Sequence, residues 1–144
     1  MEYLKQLSIF IENKEGRIYN TLHILEDLKV NIRGLSMADT AEFGILRLIV
    51  ADPIKVKEQL EERDYIVKLT EVIPVLIEDQ PGGLNKILKI LDDNNLNLEY
   101  LYAVALKNSD NAIVFLRLEE MDKGYKVLKE NNAPIVDPEK IYSI

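Results

Sequence analysis

The chain has 144 residues, 47% hydrophobic and 30% charged, with a formal net charge of −7 and no cysteine, a composition that suits one domain or two small ones. It excludes disulfides, thiolate chemistry and zinc–thiolate sites. The acidic balance and the lack of a basic run argue against nucleic acid and anionic membranes as partners, and without a leader or a membrane-length apolar stretch the expected home is the cytoplasm.

Taken in order, Leu7, Ile9 and Ile11 alternate on one face of a strand predicted over residues 4–12. Asn13 to Gly16 reads as a turn, and a helix then runs to about Lys29 with Ile18, Leu22, Leu25 and Leu28 along one stripe. Val30 to Met37 reads as a second strand, Asp39 to Glu42 as a polar turn, and Phe43 to Val50 as a third strand. Asp52-Pro53 is a helix start, with Asp as N-cap and Pro at the first helical position. That helix reaches about Arg63, and Tyr65 to Leu69 is a fourth strand. The order is β-α-β-β-α-β, the split βαβ arrangement of ferredoxin-like folds.

The order then recurs. Ile73 to Glu78 reads as a strand, Pro81, Gly82 and Gly83 force a turn, and Leu84, Ile87, Leu88 and Leu91 mark a helix to about Asn94. Strands follow at Leu98 to Leu106 and Ala112 to Leu118, on either side of the turn 107–111. A helix at Met121 to Asn131 leads to a short strand at Pro134 to Val136, and an edge strand is expected around Ile141. No linker separates the halves, so two domains, 1–70 and 71–144, are expected to pack as one body.

The repeat is visible residue by residue. Residues 11–25, IENKEGRIYNTLHIL, lie over residues 77–91, IEDQPGGLNKILKIL, without a gap. Ile11 falls on Ile77, Glu12 on Glu78, Asn13 on Asp79, Gly16 on Gly82 and Leu25 on Leu91, and the match continues to Asn31 on Asn97. In both copies a strand feeds a glycine turn that opens a helix. The first N–H groups of such a helix lack internal partners and carry partial positive charge, and glycine lets a small anion approach them.

With the doubled turn, Pro81-Gly82 with Leu84 after it, and Asn97 at the start of the next strand, the chain resembles the ACT-domain family of ferredoxin-like modules that bind amino acids and regulate metabolic enzymes. The resemblance implies an α+β fold of two βαββαβ units, tandem ACT domains with no catalytic domain attached. It also implies a ligand at an interface between domains, contacted three positions before the turn glycine and fifteen after it. The candidate ligand-binding residues are therefore Asn13, Gly16, Arg17, Ile18 and Asn31 in the first half, and Asp79, Gln80, Pro81, Gly82, Gly83, Leu84 and Asn97 in the second. Serine-binding members place a histidine five before the glycine, where this chain has Ile11 and Ile77, which weakens a serine assignment. Glu15 stands where the second copy has Pro81 and would repel a ligand carboxylate, so the two sites need not be equivalent.

Each candidate also has a structural reading. Gly16 and Gly82 serve any tight turn with positive φ, Asn31 and Asn97 terminate helices, and Asn13 and Asp79 act as N-caps. His23, the one histidine, falls off the apolar stripe and reads as a surface residue. Arg47 and Arg117 occupy matching strand positions, as exposed sheet-face residues or as clamps for a carboxylate. Glu61-Glu62 and Asp92-Asp93 read as solvated helix faces. No catalytic residue, metal ligand or cofactor motif is identified. The functional expectation is a non-catalytic regulatory protein that binds a free amino acid, with a homodimer implied. The alternative is a ligand-independent subunit that holds an amino-acid biosynthetic enzyme.

Overall fold

A computed structural model describes residues 2–12, 14–39 and 43–143. Its strands are β1 (Leu4–Glu12), β2 (Gly34–Asp39), β3 (Phe43–Ile49), β4 (Ile66–Glu78), β5 (Leu98–Ala105) and β6 (Asn111–Leu118). Its helices are α1 (Arg17–Asp27), α2 (Pro53–Glu61), α3 (Gly83–Asp93), α4 (Met121–Glu130) and α5 (Pro138–Tyr142). The class is α+β, with two ferredoxin-like repeats as expected. Residues 5–70 with 142 and 143 form one compact unit, and residues 2–4 with 71–141 form the other.

In the first unit the strand order is β2-β3-β1-β4, with β3 antiparallel to both β1 and β2. Leu46 lies opposite Ile9 on one side and Met37 on the other. Strand alternation sends Leu7, Ile9 and Ile11 to one face, where they meet Leu25 of α1 and Leu60 of α2. Gln6 and Ser8 point to the other face and are buried. Buried polar groups need partners, and these have them. Gln6 Nε2 donates to Ser8 Oγ at 3.0 Å, and Ser8 Oγ lies 2.9 Å from Thr70 Oγ1.

The second unit has the order β4-β6-β5, with Val75 opposite Val114 and Tyr102 opposite Phe115. Its core joins Ile73, Val75, Val114 and Leu116 to Ile87 and Leu91 of α3 and Leu128 of α4. Tyr3 belongs here too: its ring meets that of Tyr125 edge to face, with centroids 5.6 Å apart, and its hydroxyl donates to Asp122.

Four features differ from the sequence expectation. The second strand begins at Gly34 rather than Val30, because Lys29 turns left-handed (φ 58°) and Val30 N–H ties back to Leu25 O at 2.9 Å. The strands expected at Tyr65 to Leu69 and Ile73 to Glu78 are one 13-residue strand, β4, since nothing between Thr70 and Pro74 turns the chain. The expected strand at Pro134 to Val136 reduces to a single bridge, Ile135 to Val75, flanked by the bonds Leu76 N to Pro134 O and Val136 N to Pro74 O. The expected edge strand around Ile141 is instead α5, with Ile141 buried. Its signal was present: Asp137-Pro138 repeats the Asp52-Pro53 start, and Asp137 Oδ1 accepts from Glu139 N–H at 3.0 Å. The polar turn expected over 39–42 lies largely outside the described residues, as do Asn13 and its candidate role.

Candidate functional site

The two glycine turns are geometric duplicates. Gly16 caps α1 with φ 82° and ψ −6°, and Gly82 caps α3 with φ 84° and ψ −7°. Both are left-handed, a conformation that costs other residues energy. The same bonds close each turn: Lys14 N to Glu12 O and Gln80 N to Glu78 O, then Arg17 N to Lys14 O and Gly83 N to Gln80 O. Neither helix has a side-chain N-cap bond, so Asp79 is not the cap of α3. A Cβ at Gly16 or Gly82 would meet nothing within 4 Å, so both turns are open on that side. At Gly83 it would lie 2.0 Å from Glu78 O, so the second turn packs backbone on backbone where the first carries Arg17.

The acid that ends each strand is neutralised differently. Lys14 Nζ lies 3.1 Å from Glu12 Oε2 and Arg17 Nη2 lies 3.4 Å from it. The hydrogen bond and charge of Lys14, with Arg17 adding, hold the Glu12 carboxyl below its ordinary range. In the second copy Gln80 Nε2 donates to Glu78, and Lys86 Nζ stands 3.8 Å from the same carboxylate oxygen. Asp79, Gln80, Pro81 and Gly82 are exposed, Leu84 is half-buried and Gly83 is buried. Asp79 N–H is bound to Asp110 O at 2.9 Å, and no partner binds its carboxylate among the described residues. The N–H groups of Leu84 and Asn85 likewise have no partner among the described residues. An anion or carbonyl oxygen can dock there.

Asn31 and Asn97 do not terminate the helices. Lys29 (φ 58°) and Asn95 (φ 54°) take the left-handed closing position, and Asn94 Nδ2 bonds Ile90 O at 2.8 Å. Asn97 Nδ2 donates to Glu119 Oε2 at 2.9 Å, and Asn31 is exposed. Each asparagine follows the C-terminal end of the helix whose N-terminus the turn caps. At about 1.5 Å per residue, the 11 residues of α1 or α3 separate turn from asparagine within a unit.

Other candidates fall into structural roles. His23 is an exposed helix residue 3.7 Å from Glu26 and from Asp27. Arg117 Nη1 donates to Glu71 O at 2.8 Å, and its Nε lies 3.5 Å from Glu99 Oε2. Arg47 is half-buried, opposite Ser8 and Ser36. The acidic pairs are exposed: Glu61 is bound by Lys57 at 2.8 Å and Asp93 by Lys89 at 2.6 Å. No helix among the described residues is long and apolar enough to cross a membrane.

Sequence reasoning missed a cleft of about 510 Å³ in the first unit, lined from β1, α1, β3 and the α2–β4 connection. Phe10, Ile24 and Phe43 give it apolar walls, and Arg17, Arg63 and Asp64 stand around it. Thr21 is buried; its hydroxyl donates to Arg17 O at 2.9 Å and lies 3.3 Å from Tyr65 Oη.

The family described as the ACT domain pair matches residues 2–144. Protein BT0572 of Bacteroides thetaiotaomicron, known from its crystal structure, is 37% identical over 99% of this chain and 97% of its own, with a TM-score of 0.90. The regulatory subunit of aspartate kinase from Thermus thermophilus, in its ligand-free form, is 11% identical over 90% of this chain and 93% of its own, with a TM-score of 0.60. Its counterpart from Thermus flavus is 13% identical over 88% and 90%, with a TM-score of 0.54. At these identities the likeness to the two kinase subunits is one of fold. No match was found among the curated proteins.

Proposed function

The chain belongs to the family of ACT domain pairs, and from that premise we propose that it is a non-catalytic, cytoplasmic regulatory protein that binds a free amino acid at its helix-opening turns. The observation that carries this reading is the duplicated open glycine turn, with the N–H groups of Leu84 and Asn85 unpartnered among the described residues and the exposed Asp79 in the same turn. The positive helix end suits an α-carboxylate, and Asp79 suits an α-ammonium with charge assistance. In the first copy Glu12 is held ionised by Lys14 and Arg17. That places a different charge pattern there, so the second turn is the better site.

A turn and an asparagine of the same helix lie at opposite ends of it. A ligand that touches both kinds of residue therefore needs a second ACT unit beside the first, and a homodimer, as one source of such a unit, is part of the proposal. Thermal melting of the purified protein against each common amino acid tests it. Binding to the folded form raises the melting temperature with ligand concentration. A flat screen at millimolar concentrations sinks the sensor reading and favours the ligand-independent subunit, whose partner enzyme a pull-down from the native cell would then identify.

A further inference from the structure

We propose that β2 is the edge along which two copies of this chain pair, antiparallel about a two-fold axis through Ser36, with Arg33 of each copy opposite Asp39 of the other. β2 ends the strand order of the first unit, so no strand lies along its outer side. Such an edge invites another strand unless a bulge, a proline or a lysine blocks it. Gly34 to Asp39 contains no proline and no lysine, and its register with β3 runs unbroken from Gly34 opposite Ile49 to Asp39 opposite Gly44. The edge strand of the second unit, β5, is protected: its register shifts between Leu98 and Tyr100, where Glu99 stands.

The charged side chains at the two ends of this segment lack partners. Arg33 directly precedes β2, and its backbone N–H is fixed on Ile49 O at 2.8 Å. Its Nε is buried without a hydrogen-bond partner, and its guanidinium makes no ion pair among the described residues. Buried donors are ordinarily satisfied, so an unfilled one points to an acceptor from elsewhere. The Asp39 carboxylate is exposed and is likewise bound by no partner among the described residues. At about 3.3 Å per residue, an extended chain holds Arg33 and Asp39 about 20 Å apart, so they cannot satisfy each other within one copy.

Turned antiparallel on itself, the segment RGLSMAD is self-complementary. With Ser36 on the axis, Arg33 faces the partner's Asp39, Leu35 faces the partner's Met37, and Gly34 faces the partner's Ala38. Directly opposite side chains share a face, where opposite charges and apolar pairs both stabilise the ladder. Leu35 and Met37 lie opposite Leu48 and Leu46 of β3, on the face that carries the first core. Leu35 is 50% exposed in the single chain, and the partner's Met37 would extend that core over it. Moving the register by two residues sets each charge against an apolar side chain, so the pattern specifies one pairing. The inference supplies a source for the homodimer of the proposed function and does not rest on the ligand.

Analytical ultracentrifugation of the full chain, without amino acid, tests the pairing. The variants are Arg33→Glu, Asp39→Arg and the two combined, each first shown to melt cooperatively, and Ser36→Cys, which gives a single thiol in a chain without cysteine. A dimer supports the pairing if its dissociation constant rises tenfold or more in each single variant and returns to within threefold of wild type in the combined one. Disulfide cross-linking of Ser36→Cys between two copies supports it independently. Asp39 is exposed, so its replacement and the cross-link keep the test valid if Arg33→Glu fails to fold. A chain that stays monomeric at millimolar concentration overturns the pairing. So does a dimer that neither single variant weakens, that the combined variant does not restore, or that Ser36→Cys does not cross-link. The amino-acid melting screen is read separately: a dimer with a flat screen keeps the pairing and sinks the sensor, and a monomer with a melting shift does the reverse.

Discussion

Gly83 approaches the carbonyl of Glu78 so closely that a Cβ on it would lie 2.0 Å from that oxygen. The turn of the second repeat is thus held by backbone packing, with Gly82 supplying the left-handed step (φ 84°) and Gly83 the close contact. The first repeat makes the same left-handed step at Gly16 but places Arg17 at the next position and uses its guanidinium to approach Glu12. One ancestral turn has diverged in chemistry while keeping its backbone.

The two glycines of the second turn should respond differently to alanine. At Gly82 there is room for a Cβ, so the cost is the left-handed conformation, about 1–2 kcal/mol. At Gly83 the methyl collides with backbone that cannot rotate away, and the cost should exceed that of Gly82→Ala. Urea denaturation of both variants checks the order. Equal stabilities would contradict the close packing.

The buried chain of Gln6, Ser8 and Thr70 should be sensitive to loss of its middle member. Ser8→Ala removes the acceptor for Gln6 and the partner of Thr70 on a buried sheet face. About 1–3 kcal/mol is expected from the two hydrogen bonds lost. A loss below about 0.5 kcal/mol in chemical denaturation would mean that the groups find other partners.

Glu12 links stability to pH. Lys14 first, and Arg17 after it, hold its folded pKa below the ordinary carboxylate value. Its contribution is therefore present above the unfolded carboxylate value and is lost as pH falls through the lowered folded value. Glu12→Gln should reduce stability at about pH 7, and the gap from wild type should close as pH falls below the ordinary carboxylate value. The group is exposed, so the gap should also narrow with added salt. A pH-independent gap would assign the effect to something other than the charge.

Asp52 and Asp79 stand before the helices of their respective segments but serve them differently. Asp52 Oδ1 accepts from Lys55 N–H at 3.2 Å as the N-cap of α2, so Asp52→Ala should cost about 1 kcal/mol. Asp79 caps nothing, so Asp79→Ala should change stability by less than about 0.5 kcal/mol while weakening ligand binding at the second turn. Thermal melts and ligand titrations of the pair separate the two roles. A cap-sized loss in Asp79→Ala with unchanged binding would return it to the scaffold.

Much of this organisation is legible from residue patterns alone. The glycine turns, the Asp52-Pro53 helix start and the buried stripe of Leu7, Ile9 and Ile11 each rest on local chemistry. The end of α1 was harder, because the closing residue is Lys29, whose type carries no left-handed preference. Thr70 to Pro74 carries the chain nearly straight, as its residues suggest, and the two strands expected on either side run on as one because proline forbids only its own N–H bond. The helix at Asp137-Pro138 was within reach, since the same dipeptide opens α2. The cleft was not, although comparing Thr21 with Ile87 and Tyr65 with Ala133 across the repeats would have pointed to it.

Residue patterns were enough for the duplication, the order of elements as far as α4 and the two left-handed glycine turns, because each depends on residues near one another in the chain. Packing was needed to show that Asp79 is no cap and that Arg63, Asp64, Thr21 and Tyr65 line one cleft. The cleft depends on the packing of α1 beside the α2–β4 connection, which brings together residues far apart in the chain.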